Sequence, residues 1–193
     1  MNGPIRIGIS TCLLGYRVRY DGDHCLDTIL RYNLGELIEW IPVCPEVECG
    51  FPVPREPMIL SGPPKKPRLI TRYSGKDYTE MFMEWILEKT DELAGSGLSG
   101  FIFKSRSPSC GLGDTKIYTP TGEIVRGNGL FADSFRKRFP FIPVQNSEYL
   151  YERSKMVSFF RSVIVYKKWK EFLSRGLVKG PQGLQGPLPF KMT

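Results

Sequence analysis

Two hydrophobic patterns alternate along this chain. One is a short, mostly apolar run; the other is a longer stretch in which apolar residues return every three or four positions. The short runs read as buried strands: 5–10 (Ile-Arg-Ile-Gly-Ile-Ser), 40–43 (Trp-Ile-Pro-Val), 100–104 (Gly-Phe-Ile-Phe-Lys) and 141–144 (Phe-Ile-Pro-Val). Helical spacing is clearest from Asp77, which with Glu80 forms a capping box ahead of Phe82, Trp85, Ile86 and Leu93, and 95–97 ends that run with glycines. A second helix follows Gly127-Asn128-Gly129 with Leu130, Phe131 and Phe135. A third spans 154–174, with Met156, Phe159, Phe160, Val163, Tyr166, Trp169, Phe172 and Leu173 on its apolar side. Leu26, Ile29, Leu30, Leu37 and Ile38 fit a helix that Asn33 and Gly35 interrupt. Residues 51–67 carry Pro52, Pro54, Pro57, Pro63, Pro64 and Pro67 and read as an extended loop. Residues 68–73 read as a short strand, and 115–118 with 123–125 as a hairpin turning at Thr119-Pro120-Thr121-Gly122.

Strands that alternate with helices predict an α/β fold: an open, mostly parallel sheet with helices on both faces, three layers in all, and a C-terminal helical extension. The expected organisation is a domain over 1–150, an amphipathic helix over 151–175, and a Gly/Pro/Gln-rich tail or linker over 176–193.

Composition narrows the class. A hydrophobic content of 41% in 193 residues suits a soluble domain with its own core. No apolar run is long enough for a membrane helix, and the first residues lack a secretory pattern, so a cytoplasmic location is expected. The net charge of +7 is concentrated: residues 132–179 hold 11 Lys/Arg against 4 Asp/Glu, and the remainder holds 16 against 16. Such a basic segment suits contact with RNA, or is the solvated face of a helix.

Five cysteines at 12, 25, 44, 49 and 110 match neither a disulfide framework nor a local zinc or ferredoxin spacing. Three of them follow predicted strands. Cys12 comes after 5–10, Cys44 after 40–43, and Cys110 after 100–104 by way of Ser105 to Ser109. In open α/β sheets, ligands bind beyond the carboxyl ends of the strands. Three thiolates there suit iron or zinc. Cys49 is a rival fourth ligand, and Cys25 reads as a buried free thiol. Glu46, two residues from Cys44, is placed to take a proton from water, or to pair with Arg19 or Arg55.

Several motifs carry a resemblance: Ser10-Thr11-Cys12-Leu13-Leu14-Gly15, Val18-Arg19-Tyr20-Asp21-Gly22, Cys44-Pro45-Glu46-Val47, Pro52-Val53-Pro54-Arg55 and Ser107-Pro108-Ser109-Cys110-Gly111. In this order they resemble the 2-thiouracil desulfidase family, over about residues 5–144. Gly129-Leu130-Phe131-Ala132 and the helix around Phe159 to Trp169 are similar to its longer, two-domain members, whose second domain is largely absent here. The resemblance implies a 4Fe–4S cluster held by Cys12, Cys44 and Cys110, with one open iron that takes the thiocarbonyl sulfur of a thiolated pyrimidine. It implies a non-redox reaction in which oxygen from water replaces sulfur and sulfide leaves. Glu46 and Ser107 match the family's catalytic positions. Arg19, Asp21, Arg55 and Ser109, in the same motifs, are the candidate substrate-binding residues. The expected partners are a small thiolated pyrimidine and thiolated tRNA, the latter through the basic C-terminal segment. Cys49 departs from the family, which has glycine there; a small buried substitute or a perturbing ligand both fit. A metal- or cluster-bearing RNA-binding module without desulfidase activity is the competing function.

Overall fold

The computed structural model describes residues 3–34 and 38–177. Its centre is a four-stranded parallel sheet in the order β2-β1-β5-β8, built from β1 (Ile5–Ser10), β2 (Ile38–Val43), β5 (Gly100–Phe103) and β8 (Val144–Asn146). Alternate side chains along these strands enter two separate cores. Ile7, Ile9 and Ile102 face one way, and Phe101 and Phe103 face the other. Burial on both faces explains why the strands read as apolar runs rather than as alternating ones.

Helix α4 (Arg153–Ser174) covers the first face through Phe159 and Val163. The contact depends on Gly100, where a Cβ would lie 2.7 Å from Val163 Cγ2. Two lysines tie the helix down. Lys167 Nζ donates to the carbonyls of Gly3 and Pro4 (2.5 and 3.0 Å), and Lys170 Nζ to those of Gly97 and Leu98 (2.9 and 2.5 Å). The helix is thus a layer of the fold.

Helices α2 (Thr79–Ala94) and α3 (Leu130–Arg138) cover the second face around Phe101, Phe131 and Phe135. A second sheet joins the same core: β3 (Met58–Ser61), β4 (Arg68–Thr71), β6 (Thr115–Tyr118) and β7 (Ile124–Gly127), in the order β4-β3-β6-β7.

Several expectations need correction. Residues 51–67 are not all loop, because β3 lies among them; Met58 and Leu60 supply the buried face that the surrounding prolines obscure. Among its described residues, the stretch around Leu26 to Ile38 holds one π-helical turn, Ile29–Asn33, before β2 begins at Ile38. Gly35 and Leu37 lie outside the described residues. Helix α2 starts at Thr79; Asp77 Oδ1 accepts from Thr79 N at 2.8 Å from outside the helix. The last strand of the parallel sheet lies over Val144–Asn146 rather than 141–144, and Phe141 is 47% exposed. The expected tail, beyond Leu177, lies outside the described residues.

Candidate active site

Parallel strands end at the same edge of their sheet, and that edge carries the cysteines. Ser10 pairs with Val43, and Ile9 with Ile102. Cys44 therefore stands one residue past its strand, and Cys12 two residues past its neighbour, in the turn Thr11–Leu14. Cys110 arrives on the loop after β5. The three thiols line one cavity of about 450 Å³, together with Glu46, Ser107, Arg19 and Arg55.

Cys44 and Cys110 are placed by identifiable contacts. Cys44 caps the short helix α1 (Pro45–Glu48), and its N–H donates to Glu48 Oε1 at 2.7 Å. Glu48 is in turn held by Lys89 of α2 at 2.9 Å. The Cys110 loop is gripped from two sides. Buried Asn146, at the end of β8, accepts from Leu112 N (3.0 Å) and donates to Leu112 O (2.7 Å). The start of α3 donates Gly129 N to Gly111 O, Leu130 N to Pro108 O and Phe131 N to Ser109 O. The N–H groups after the Gly-Asn-Gly turn therefore hold the cysteine loop and are not open to an anion.

The carboxyl group of Glu46 is bonded at both oxygens. Oε1 accepts from Ser109 Oγ at 2.7 Å, and Oε2 accepts from Arg55 Nε and Nη2 at 2.8 and 2.5 Å. Ser107 Oγ accepts the N–H groups of Ser109 and Cys110 (3.2 and 3.1 Å). Its lone pairs are engaged, so its own hydrogen is what it has left to donate.

Burial raises the three thiols: Cys12 to about 12, Cys110 well above its ordinary value, and Cys44 upward. A smaller contribution is repulsion between thiols: at Cys12 from Cys25 and then Cys44, and at Cys110 from Cys12 and Cys44. The Ser10 hydroxyl beside Cys110 opposes the rise there.

A sequence model of the family described as 2-thiouracil desulfurase matches residues 7–147, which takes in every one of these groups. The chain belongs to the 2-thiouracil desulfurase family. It is 33% identical over 133 residues to the uncharacterized protein YbbK of Bacillus subtilis (strain 168), a span of 64% of this chain and 85% of that one. It also resembles the solved structure of the 4Fe–4S-dependent thiouracil desulfidase TudS, with 30% identity and a TM-score of 0.62 over 80% of this chain and 98% of the other.

The residues present in this family member fit an iron–sulfur group. Three soft donors surround a cavity, whereas among the described residues no three His, Cys, Asp or Glu side chains converge closely enough to hold a single metal ion. A cluster spans several atoms and needs thiolates spread around it, and binding it would displace the protons that burial keeps on these sulfurs.

The other two cysteines are not lining residues. Cys49 does not line the cavity; its sulfur lies 3.9 Å from Met81 O of α2, and burial alone raises it, with no contribution from another thiol. It stands as a small, partly buried residue packed against the core, which argues against a fourth ligand. Cys25 is not among the lining residues but adjoins Cys12: its N–H donates to Cys12 O at 2.9 Å, and its sulfur accepts from Arg19 Nη1 at 2.6 Å.

The remaining sequence candidates divide. Arg19 lines the cavity, whereas Asp21 does not, and its carboxylate holds Arg19 through both Nε and Nη2. Ser109 and Arg55 contact Glu46. Sequence reasoning missed Glu48, Lys89, Asn146 and Ser10. Glu48 left a trace as a second acid in the turn after Cys44, and Ser10 as the first residue of the motif that holds Cys12.

The basic C-terminal segment is also less available than its composition suggests. Lys167 is 7% exposed, and it and Lys170 donate to backbone carbonyls. No helix among the described residues is long and apolar enough to cross a membrane.

Proposed function

We propose that this protein is an iron–sulfur-dependent desulfidase that replaces the thiocarbonyl sulfur of a thiolated pyrimidine with oxygen from water and releases sulfide. The observation that carries the reading is the meeting of Cys12, Cys44 and Cys110 with Glu46 and Ser107 around one cavity, while Cys49 and Cys25 stay out of it. Cys12, Cys44 and Cys110 would hold a 4Fe–4S cluster, whose open iron would supply a Lewis acid for the departing sulfur.

The chain's own residues do the rest. Glu46, fixed at both oxygens, takes a proton from the attacking water. Ser107, whose oxygen already accepts two N–H groups, turns its hydrogen toward the cavity to orient the water or the ring. Arg19, steadied by Asp21, presents a cation at the rim. The cavity volume of about 450 Å³ is in the range of small-molecule sites. The competing RNA-binding module draws no support from Lys167 and Lys170, which are engaged within the fold.

The test is anaerobic purification with iron and sulfide analysis, followed by a screen for sulfide release from thiouracil, thiouridine and thiolated tRNA. Iron and sulfide in matching amounts, with sulfide release from at least one substrate, is the expected result. Zinc without sulfide would end this reading. Release from tRNA alone would make tRNA the partner.

A further inference from the structure

Arg55 was expected to bind substrate, yet its hydrogen bonds leave it little capacity to do so. Its side chain is 6% exposed. A guanidinium has five N–H donors. Here Nε and Nη2 both donate to Glu46 Oε2, Nη2 donates also to Val18 O at 3.0 Å, and Nη1 to Pro52 O at 3.1 Å. One donor remains, and a two-pronged grip on a ligand needs two. The backbone N of Arg55 donates to Tyr20 O at 2.8 Å, which ties its own loop to the segment after Cys12.

We propose that Arg55 is a positioning residue. It fixes the carboxyl group of Glu46 toward the cavity and does not itself hold the substrate. Arg55 pins Oε2 while Ser109, from the Cys110 loop, pins Oε1, so rotation of the carboxyl group is stopped by two separate loops. The same guanidinium fixes Val18 O, which lies 3.9 Å from the Cys44 sulfur. One planar cation thus sets the distance between Glu46 and the cysteine edge. Lysine cannot replace it, because a single ammonium offers no fork to span Glu46 and Val18 together.

This inference rests on the desulfidase reading, and one set of measurements separates the two. With thiouracil as probe, Arg55→Lys is expected to lower kcat by roughly 10- to 100-fold, with KM within about threefold and iron and sulfide content unchanged. In a Glu46→Gln background, Arg55→Lys should change kcat by less than about threefold, because a residue that acts through another adds nothing once that one is disabled. Ser109→Ala removes the other bond to Glu46 and leaves the Val18 and Pro52 carbonyls their donors. It should likewise lower kcat at constant KM, which keeps the inference testable if Arg55→Lys does not fold. A raised KM at unchanged kcat would make Arg55 a substrate anchor and overturn the proposal. So would full additivity with Glu46→Gln. A cluster-loaded parent protein that releases no sulfide from any thiolated pyrimidine ends the desulfidase reading, and this inference falls with it.

Discussion

Gly129→Ala should disable the site from outside the cavity. Gly129 has φ −66° and ψ 153°, an extended conformation open to alanine, so no left-handed strain complicates the change. What forbids a side chain is space. An added Cβ would lie 2.5 Å from Ser109 C and O and 2.8 Å from Cys110 N, all backbone atoms that cannot rotate away. An ordinary contact begins near 3.4 Å, so the loop must retreat by about 0.9 Å, the difference between 2.5 and 3.4 Å. A retreat of that size along the Ser109–Glu46 bond would stretch 2.7 Å to about 3.6 Å, beyond a hydrogen bond. It would also move Ser107 and Cys110, which share the loop. Overpacking of this kind costs roughly 1–3 kcal/mol of stability. A displacement near 1 Å in a reacting constellation costs on the order of 100-fold in rate. Thermal unfolding, iron and sulfide content, and thiouracil turnover measure the three effects. Gly95→Ala is the control, because its Cβ would meet only Glu92 O at 3.7 Å. If Gly129→Ala kept normal cluster content and turnover, the close fit between α3 and the cysteine loop would not be what places Cys110.

Three further outcomes are expected. Cys12→Ala, Cys44→Ala and Cys110→Ala should each abolish most cluster absorbance, whereas Cys25→Ala and Cys49→Gly should retain it; a spectrum changed by Cys49→Gly would restore Cys49 as a ligand. Glu48→Ala strips the Cys44 N–H of its acceptor and Lys89 of a partner, and should cost about 0.5–1.5 kcal/mol in urea unfolding, since water reaches this bond, and speed loss of the cluster under chelator. Burial, then repulsion from Lys167, lowers Lys170 to about 8 from an ordinary 10.5. The unfolded chain then binds more protons than the folded one between pH 8 and 10.5, and stability should rise with pH across that window. The rise should be about 1 kcal/mol once partial exposure and the carbonyl contacts are allowed for, and it should vanish in Lys170→Met; a variant with the same pH slope as the parent would refute it.

By itself the sequence determined three strands of the parallel sheet and the cysteines at its edge, while the fourth, β8, begins where the run that predicted it ends. Ile5–Ser10 and the run through Val43 had to be strands because two-sided burial demands unbroken apolar residues, and a cysteine just past each strand had to reach the carboxyl edge. The hairpin of β6 and β7 and the long helix α4 were equally legible, since turn residues and helical periodicity act locally. Glu46 was marked by its place two residues after Cys44; the resemblance added Ser107, which no periodicity marks.

Tertiary structure alone decided what depends on pairing between distant segments. Strand β3 was hidden among prolines because its partners, β4 and β6, supply the hydrogen bonds that define it. Cys49 is the cysteine nearest to Cys44 in sequence, yet the turn of α1 carries it toward α2 and out of the cavity. Lys167 and Lys170 read as part of a basic surface, and become anchors only when α4 lies across the carbonyls of Pro4 and Leu98. Arg55 shows the same limit most sharply. Its charge was visible in the sequence, but whether a guanidinium grips a substrate or a neighbouring carboxyl group depends on which acceptors the fold brings within about 3 Å of it.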